Sequence, residues 1–590
     1  MKSTVMENME NTVRQHGCAI ALKEKSDGRW QETTWNEYYR QVRMTARGFM
    51  AAGLERGRGV CILGENSKKW FISNLGGIFA GGIPTGIYST NSPEQCQHVA
   101  GNSRANIIVV ENKTQLAKIK HIKQNLPDLK AIFLMKGQDH DEDVYAWEDL
   151  QVLGEKISEE ELNRQIQAQH PDDCCTLIYT SGTTGNPKGV MISHDNITWT
   201  SSQLIKTING NHTDQIISYL PLSHIAEQVI SLHAPVIMAA TTWFAESMEL
   251  LGENIKEVRP TIFVGVPRVW EKIQTKIVAA GSQNSWLKKR IAVLARKQGL
   301  KAGYAIQDGK PKPLLYTFFD KLVFSKVKEK LGLDRCRLFV STAAPVSIDT
   351  LEFFIGLGLP VTEVYGMSEC TGPAVVSLPE PFKYRIGWAG PALSGTELSL
   401  TDDGEILIRG RHVCKGYLGN DDATKKTIDT DGWLHSGDVG KMDDNGFLKV
   451  IDRKKELIIT SGGENISPQV LEGMLKAIPV ISQVVVIGDR RKYLTALITL
   501  DNEKIEKEAK TAGSPAQNAE SAAKCEKFNT YIRNQINEVN KALARVQTIK
   551  KFIILPENFS IEGGELTHTM KIKRKIIHEK YEKQIDSMYA

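Results

Sequence analysis

No hydrophobic run in this sequence is long enough to span a bilayer as one helix. The longest uncharged stretch, residues 71–90, contains five glycines and a proline, which divide it into a predicted helix, turn and strand. The first 17 residues lack the basic start and apolar core of a signal peptide. We therefore expect a chain without a membrane span or a secretion signal, located in the cytoplasm.

The sequence also lacks paired cysteines and a large excess of charge of one sign. Its nine cysteines are odd in number and show no C-x-x-C spacing, which predicts reduced, mostly buried thiols. The 74 basic and 69 acidic residues leave a net charge of +5, too small for a nucleic-acid-binding surface. This mild basicity is compatible with weak peripheral contact with a membrane but is more typical of an ordinary mixed-charge surface.

What the sequence does contain is the pattern of a globular α/β protein. Its 590 residues exceed the size at which a single core keeps growing, and its apolar share of 41% is ordinary. A helix is predicted over residues 35–52, where apolar residues recur every three or four positions. Apolar runs bounded by glycine or proline predict buried strands at 105–110, 176–179, 262–266 and 337–340. These elements predict layered β-sheets covered by helices.

The pattern changes near Asp452, where a smaller α+β domain is predicted to begin. A short helix after Pro468 and a strand pair at 484–487 and 494–500 follow it. We therefore predict a large N-terminal domain and a small C-terminal one, with bounds 1–452 and 453–590.

The most informative segment is residues 179–190, with the sequence YTSGTTGNPKGV. Small residues allow backbone N–H groups to approach an anion closely, hydroxyls add donors, and Lys188 adds a positive charge. The segment predicts a phosphate-binding loop between two strands; a flexible hairpin loop is the alternative. The spacing of a Walker A loop is absent, which makes a P-loop nucleotide hydrolase an unsuitable interpretation.

This segment resembles the signature of the adenylate-forming superfamily, which includes acyl-CoA synthetases, luciferases and nonribosomal peptide adenylation domains. The resemblance implies ATP as substrate and Mg²⁺ as its metal. Residues implied to bind the nucleotide are Thr180, Ser181, Gly182, Thr183 and Thr184, and Thr184 is also implied to contact the metal. Lys188 is implied to take part in catalysis.

Two further segments resemble the part of that family's motifs that holds adenine and phosphate. In YGMSE, Tyr365 is implied to lie by the adenine with Gly366, Ser368 to meet the phosphate, and Glu369 to hold magnesium, which prefers oxygen ligands. In STAAP, Ala343 and Ala344 are implied to form the adenine pocket. Thr342 departs from the family there, because glycine is common at that position.

Ribose binding is implied by two segments, one before the predicted C-terminal domain and one at its start. GWLHSGDVG carries Asp438, and IDRKKEL carries Arg453. In the family, the corresponding pair binds the ribose hydroxyls, and a carboxylate is well suited to accept them. Taken alone, Asp438 would be a loop-capping residue.

Two candidate catalytic residues lie in segments that have ordinary alternatives. LPLSH places His224 where the family has a histidine lining the acyl site, although a histidine after a strand is usually structural. LTHTMKIKRK resembles the terminal family motif and implies Lys571 as the catalytic lysine rather than Lys573 or Lys575. The alternative there is a solvated basic tail.

The resemblance covers residues 30–590 and is strongest to bubblegum-type long-chain acyl-CoA synthetases. VRPTIFVGVPRVWEKI is typical of long-chain members. The resemblance implies that the enzyme joins a long-chain fatty acid to coenzyme A. It also implies a mobile C-terminal domain, with Lys455 as its hinge and with Gly462 and Gly463 near coenzyme A. A medium-chain or aryl acid, another acceptor, or a non-catalytic binding protein remain alternatives, and the oligomeric state stays open.

Overall fold

The computed structural model describes residues 2–180, 186–460, 464–567 and 571–590. Strands β1 to β9 are Ile20–Ser26, Arg29–Thr34, Gly59–Leu63, Ile83–Ile87, Ile107–Val110, Ala131–Leu134, Val144–Ala146, Cys174–Thr180 and Lys188–Ser193. Strands β10 to β19 are Gln215–Ser218, Thr241–Phe244, Ile262–Gly265, Leu338–Ser341, Val361–Met367, Gly372–Val376, Glu397–Leu400, Glu405–Arg409, Leu434–Met442 and Leu448–Arg453. Strands β20 to β24 are Ile458–Ile459, Asn465–Ile466, Ile481–Ile487, Leu494–Leu500 and Ile549–Ile554.

Helices alternate with these strands along most of the chain. Helices α1 to α8 are Val5–His16, Trp35–Ala51, Lys68–Phe79, Pro93–Asn102, Lys113–Ile122, Asp149–Gly154, Glu159–Gln167 and His194–Ile208. Helices α9 to α17 are Ile225–Glu227, Ala234–Met238, Leu251–Val258, Pro267–Ser282, Trp286–Gln307, Tyr316–Phe319, Ser325–Leu331, Ile348–Ile355 and Asp421–Thr427. Helices α18 to α23 are Pro468–Lys476, Asn502–Thr511, Ala519–Lys524, Glu526–Asn540, Arg574–Lys580 and Glu582–Ser587. Shorter helical turns are the π-helical Gln228–His233 and Asp320–Phe324 and the 3₁₀ turns Lys123–Asn125, Ser368–Cys370 and Arg545–Gln547.

Two large, mostly parallel sheets form the framework of the N-terminal part. One has the strand order β7-β6-β5-β3-β4-β8-β9, and the other has the order β15-β14-β13-β12-β10-β11-β1-β2. Antiparallel pairs occur at the edges, as β8–β9, β14–β15 and β1–β2. Side chains from both sheets, such as Val109 and Phe244, share the largest apolar core. This α/β architecture confirms the predicted layers.

The predicted elements are present, with bounds that shift by a few residues. Helix α2 begins after Thr34, whose side chain accepts a hydrogen bond from the Glu37 N–H and so caps the first turn. Strand β5 is buried at all four positions, because helices cover both faces of a parallel sheet. The unbroken apolar runs in the sequence follow from that burial.

The chain from β16 onwards forms smaller sheets, and the part after β19 has its own core. An antiparallel four-stranded sheet, β16-β17-β18-β19, leads to the pair β20-β21 and to the three-stranded sheet β22-β23-β24. Leu471 on α18 and Phe528 and Ile532 on α21 are buried in a core with β22 and β23. This separate core fits the predicted smaller α+β unit.

Within the described residues, we find no helix that is both long enough and apolar enough to cross a bilayer. The uncharged stretch at 71–90 instead forms most of α3, a turn and β4.

Candidate functional site

A cleft of about 3200 Å³ lies at the carboxyl ends of β12, β13 and β14 and reaches the C-terminal elements. This edge of a parallel sheet is the usual place for a ligand. The predicted site residues that line the cleft are Thr180, Lys188, His224, Ala343, Ala344, Tyr365, Gly366, Ser368, Glu369, Asp438, Arg453, Lys455 and Lys571. The predicted residues Ser181, Gly182, Thr183, Thr184, Gly462 and Gly463 lie outside the described part of the chain.

The two arms of the glycine-rich segment are antiparallel strands that end at the cleft. Thr180 on β8 is paired with Lys188 on β9. The Tyr179 hydroxyl donates to Asn102 Oδ1 at 2.6 Å and anchors the end of β8. The Lys188 ammonium lies 4.9 Å from the centre of the Tyr417 ring, a cation–π distance. The strand–loop–strand arrangement predicted from the sequence is therefore confirmed for its two arms.

Glu369 is a buried carboxylate held by a residue that the sequence analysis did not identify. The Tyr417 hydroxyl donates to Glu369 Oε1 at 2.8 Å. Segment 415–418 runs beside β9, with the Leu418 N–H donating to the Gly189 carbonyl at 2.8 Å, and this pairing brings Tyr417 to the cleft. No spacing in the sequence connects positions 369 and 417, because their proximity arises from this pairing and from the hydrogen bond of the Cys414 N–H to the Glu369 carbonyl at 2.8 Å.

The backbone at the predicted adenine pocket has two special positions. A side chain at Gly366 would place its Cβ 1.8 Å from the Gly372 carbonyl oxygen, so only glycine fits there. Ala343 has φ of 74°, an uncommon conformation for a residue with a side chain. Thr342 still donates its backbone N–H to the Gly265 carbonyl at 3.1 Å. The departure at Thr342 therefore leaves this strand end tied to β12.

Asp438 connects the adenine-side tyrosine with the predicted ribose arginine. It accepts a hydrogen bond from the Tyr365 hydroxyl at 2.8 Å, and its other oxygen lies 3.3 Å from Arg453 Nε. Asp438 on β18 and Arg453 on β19 are directly paired across the sheet. Burial raises the pKa of Asp438, while Arg453, Tyr365 and Lys571 act in the opposite direction. The pair thus presents a carboxylate and a guanidinium side by side at the cleft.

His224 is the N-cap residue of α9 and is neutral near pH 7. Its Nδ1 accepts a hydrogen bond from the Ala226 N–H at 3.2 Å, so the ring proton resides on Nε2. Burial lowers the pKa of His224 to about 4, and the charge of Lys571 acts in the same direction. Both His224 and Lys571 line the cleft.

Lys571, the C-terminal lysine predicted to be catalytic, interacts electrostatically with three carboxylates, those of Asp438, Glu456 and Glu369. Lys571 is exposed and lines the open cleft. Its pKa is nevertheless lowered, because the surrounding protein removes part of its hydration and because the positive charge of Arg453 is near. Asp438, Glu456 and Glu369 act in the opposite direction. These interactions distinguish Lys571 by its position from a solvated basic tail.

An ion-pair network inside the C-terminal domain fixes the segment that carries Lys571. Arg574 donates to both oxygens of Glu472, at 2.8 and 2.7 Å, and lies 3.3 Å from Glu456. Burial lowers the Arg574 pKa, but Glu472 and Glu456 outweigh it, so the net shift is upward. The Thr567 N–H donates to the Lys571 carbonyl at 2.7 Å. The lysine is therefore anchored to C-terminal residues rather than to the large domain.

The predicted hinge lies next to a tightly bonded aspartate. Asp452 accepts hydrogen bonds from the Ser467 hydroxyl and from the Gln469 N–H, the latter at 3.1 Å, and so caps the start of α18. Lys455 comes three residues after Asp452, is exposed and lines the cleft. The role of Lys455 as a hinge stays a prediction.

An apolar arm of the cleft is formed by residues of the N-terminal domain. Its walls come from α8, β10, the π-helical turn after α9, α10 and β12. The residues that we use to define this apolar arm are Leu204, Ile208, Ile216, Ile230, Met238 and Ile262. The sequence could not identify them, since a residue lining a tunnel has the same apolar character as a residue of the core.

Two domain families match this chain. The AMP-binding enzyme family matches residues 9–418, and the AMP-binding enzyme C-terminal domain matches residues 455–590. Among solved structures, the anthranilate CoA ligase AuaEII in complex with anthranoyl-AMP has a TM-score of 0.71 at 20% identity, covering 98% of this chain and 97% of that one. ATP-bound MatB from Rhodopseudomonas palustris has a TM-score of 0.70 at 20% identity, covering 98% and 99%. These structures share the fold.

Curated relatives match over nearly the whole chain. Long-chain-fatty-acid–CoA ligase ACSBG2 of Xenopus laevis is 44% identical, covering 99% of this chain and 84% of the relative. The human protein of the same name is 41% identical, covering 99% and 92%. Long-chain-fatty-acid–CoA ligase ACSBG1 of Rattus norvegicus is 40% identical, covering 99% and 85%. The chain therefore belongs to the AMP-binding, adenylate-forming enzyme family and, within it, to the bubblegum-type ligases.

Proposed function

We propose that the protein is a long-chain fatty acid–CoA ligase. It would join a fatty acid to AMP with release of pyrophosphate, then transfer the acyl group to coenzyme A with release of AMP. The observation that carries this proposal is one cleft in which an apolar arm meets Glu369, Asp438, His224 and Lys571. The names of the curated relatives support the same activity.

The first half-reaction makes the acid carbon reactive. A carboxylate oxygen of the fatty acid attacks the α-phosphorus of ATP, and the bond from that phosphorus to the bridging oxygen breaks as pyrophosphate leaves. Negative charge collects on the phosphoryl oxygens, where Lys571 and Lys188 would stabilise it electrostatically. His224 would donate its Nε2–H towards the acid end of the apolar arm, since its Nδ1 is already occupied by Ala226.

Nucleotide orientation would come from residues that are already held in place. Tyr365 would face the adenine while its hydroxyl stays on Asp438. The second Asp438 oxygen and Arg453 would bind the ribose hydroxyls. The predicted loop residues, Thr180 and Ser181 to Thr184, would add donors for the phosphates.

The donor set also fits a magnesium ion brought in with the nucleotide. Glu369 offers a buried carboxylate whose one oxygen is oriented by Tyr417, and Mg²⁺ is commonly held by one or two carboxylates plus phosphate oxygens. Within the described residues, no three His, Cys, Asp or Glu side chains form a group that could hold a metal by themselves. When bound, Mg²⁺ would neutralise phosphate charge, and Glu369, with Thr184 as predicted, would hold it.

The second half-reaction needs a different arrangement of the two domains. The coenzyme A thiol sulfur attacks the acyl carbon, the bond to the AMP oxygen breaks, and the thiol proton goes to solvent. We propose that the C-terminal domain, residues 453–590, turns about Lys455 between the steps. The turn would withdraw Lys571 and bring Gly462 and Gly463 towards coenzyme A.

Pyrophosphate release tests this proposal across acids of graded length. Purified protein with ATP and Mg²⁺ would be offered saturated fatty acids from short to long, and benzoate as an aryl acid, each with and without coenzyme A. We expect the largest rate with long chains and thioester only when coenzyme A is present. A higher rate with benzoate would support the aryl-acid alternative instead. Turnover that does not depend on coenzyme A would support another acceptor.

A further inference from the structure

A second surface of the molecule combines exposed apolar side chains with positive charge. Helix α13, helix α14 and the loop between them carry large apolar side chains that project into solvent. The exposed fractions of these side chains reach 68% for Trp286, 69% for Val293 and 98% for Leu314. Single exposed apolar residues are ordinary, but a cluster of them marks a site of interaction. We call this surface, residues 286–330, the basic apolar face.

The geometry of α13 separates a buried side from an exposed side. Ala295, Gly299 and Ala302 are buried, and they recur at steps of three and four residues. Trp286, Val293 and Leu294 lie on the opposite side of the same helix and are exposed. The exposed apolar residues are therefore not part of a core that the chain covers elsewhere.

Charge is concentrated on this face far above the average of the chain. Helix α13 contains six lysines and arginines and no acidic residue. Residues 286–330 contain twelve basic and three acidic residues, whereas the whole chain has a net charge of only +5. The rest of the molecule is therefore net acidic. Arg290, Lys297 and Lys301 project from the side of α13 that also carries the exposed apolar residues.

This face lies next to the end of the cleft. The last turns of α12 line the cleft at Val278, Ala279 and Ser282, and Gln283 after them also lines it. Trp286, the first residue of α13, follows three positions later. A surface bound to this face would therefore lie beside a mouth of the cleft.

We propose that the basic apolar face docks on an anionic lipid bilayer. Positive side chains are attracted to anionic headgroups, and exposed Trp, Leu and Val side chains insert at the interface. The exposed aliphatic residues favour lipid over a nucleic acid, whose phosphates would engage the basic side chains alone. Delivery of a fatty acid from the bilayer to the cleft rests on the proposed function, but the docking itself does not.

Vesicle co-sedimentation of the full chain tests the docking. Phosphatidylcholine vesicles with and without phosphatidylserine would be compared at low and high salt. We expect binding to the anionic vesicles that weakens with salt, because salt screens exposed charges. The triple variant Arg290→Gln, Lys297→Gln and Lys301→Gln should bind about a hundredfold more weakly, since each cation near an anionic surface contributes roughly fivefold.

A matched variant controls for the loss of positive charge in general. Lys527→Gln, Arg545→Gln and Lys550→Gln remove three exposed cations from the C-terminal domain and should leave vesicle binding within about twofold of the original. The double variant Trp286→Ala and Leu294→Ala should also weaken binding, through loss of apolar insertion. Equal binding by the two triple variants would overturn the proposal, as would absence of binding by the unmodified chain.

The same proteins separate this inference from the proposed ligase activity. With an acid presented free in solution, pyrophosphate release by the Arg290, Lys297 and Lys301 variant should equal that of the unmodified chain. Loss of vesicle binding with activity retained supports docking through this face. Vesicle binding by a chain that is inactive towards every acid would refute the proposed function and leave the docking standing.

Discussion

The two domains contribute to the cleft in different ways. In the large domain, Glu369 and Asp438 are buried and oriented by tyrosine hydroxyls at 2.8 Å. In the small domain, Lys571 faces the open cleft, and the arginine beside it is bound to Glu472 and Glu456 of the same domain. The difference leads us to expect that the nucleotide-binding groups are preformed, while the position of the lysine would depend on the proposed turn of the small domain.

The largest expected effect tests the small domain. Lys571→Ala should lower acyl-adenylate formation by about 10²–10³-fold, the range for losing one preorganised group at a developing oxyanion. Thioester formation from supplied acyl-AMP should change little, because the proposed turn would withdraw the lysine for that step. Pyrophosphate release and acyl-CoA formation, measured separately, check this.

A control for Lys571 is available in the same C-terminal segment. Lys583→Ala removes an exposed lysine that does not line the cleft, and it should leave both half-reactions unchanged. If Lys571→Ala slowed the two steps equally, the division of roles between the domains would be wrong.

The second effect tests the connection between the domains. Lys455→Pro should slow thioester formation roughly tenfold or more while sparing pyrophosphate release, because proline fixes one backbone angle at the proposed hinge. The neighbouring hydrogen bonds from the Lys454 N–H to Gly437 and from the Glu456 N–H to Arg453 can remain. Lys455→Ala, which keeps the backbone free, is the matched control. Unchanged thioester formation in the proline variant would remove Lys455 from this role.

The third effect tests the preformed half of the cleft. Tyr417→Phe removes the hydroxyl that orients Glu369 but keeps the ring beside Lys188. A hydrogen bond to a charged group contributes about 1.5–3 kcal/mol, so kcat/KM for ATP should fall about ten- to hundredfold. Tyr304→Phe, which breaks a tyrosine–glutamate pair on the surface, should leave kcat/KM unchanged. A similar loss in both variants would point to stability rather than to the orientation of Glu369.

The fourth effect tests the apolar arm. Ile230 is half-buried and lines the arm, so Ile230→Phe should fill part of it and shift the preferred acid to a shorter chain. We expect roughly tenfold loss with long acids and little change with short ones, within the range for misfitting a hydrophobic pocket. The ratio of pyrophosphate release rates for the two acids provides the measurement. Equal losses for both would exclude this wall of the cleft as a determinant of chain length.

The smallest effect concerns stability against pH. Burial lowers the pKa of four histidines to about 3 or 4, and these are His194, His224, His233 and His412. In the unfolded chain they bind protons near pH 6.5, so stability falls as the pH drops from 6.5 towards 4. Burial raises the pKa of Glu227 and Glu363 to about 7, which acts in the opposite direction between pH 4.5 and 7.

Four histidines outnumber two glutamates, so the net slope should be positive, roughly 2–3 kcal/mol per pH unit near pH 5. Thermal unfolding between pH 4.5 and 6.5 measures the slope. Glu227→Gln removes one opposing group and should make the slope steeper. A flatter slope in that variant would contradict the assignment of Glu227 as a buried neutral acid.

Most of the fold could be predicted because its signals are local. Helix α2 was predicted over 35–52 and ends at Ala51. The strand pair of the C-terminal domain was predicted at 484–487 and 494–500, and the observed strands are Ile481–Ile487 and Leu494–Leu500. Burial on both faces of a parallel strand requires a continuous apolar run, so such strands are visible in the sequence. The family motifs likewise predicted Glu369, Asp438 and Lys571 as residues of one site.

Contacts between distant segments were decided only by the tertiary structure. The family motifs predicted which groups would bind a nucleotide, because the residues of each motif are close together in the chain. The sequence did not reveal that Tyr417 orients Glu369, that Arg574 anchors the segment carrying Lys571, or which residues line the apolar arm. Those relations depend on strand pairing and packing between segments far apart in the chain, which no local pattern of residues encodes.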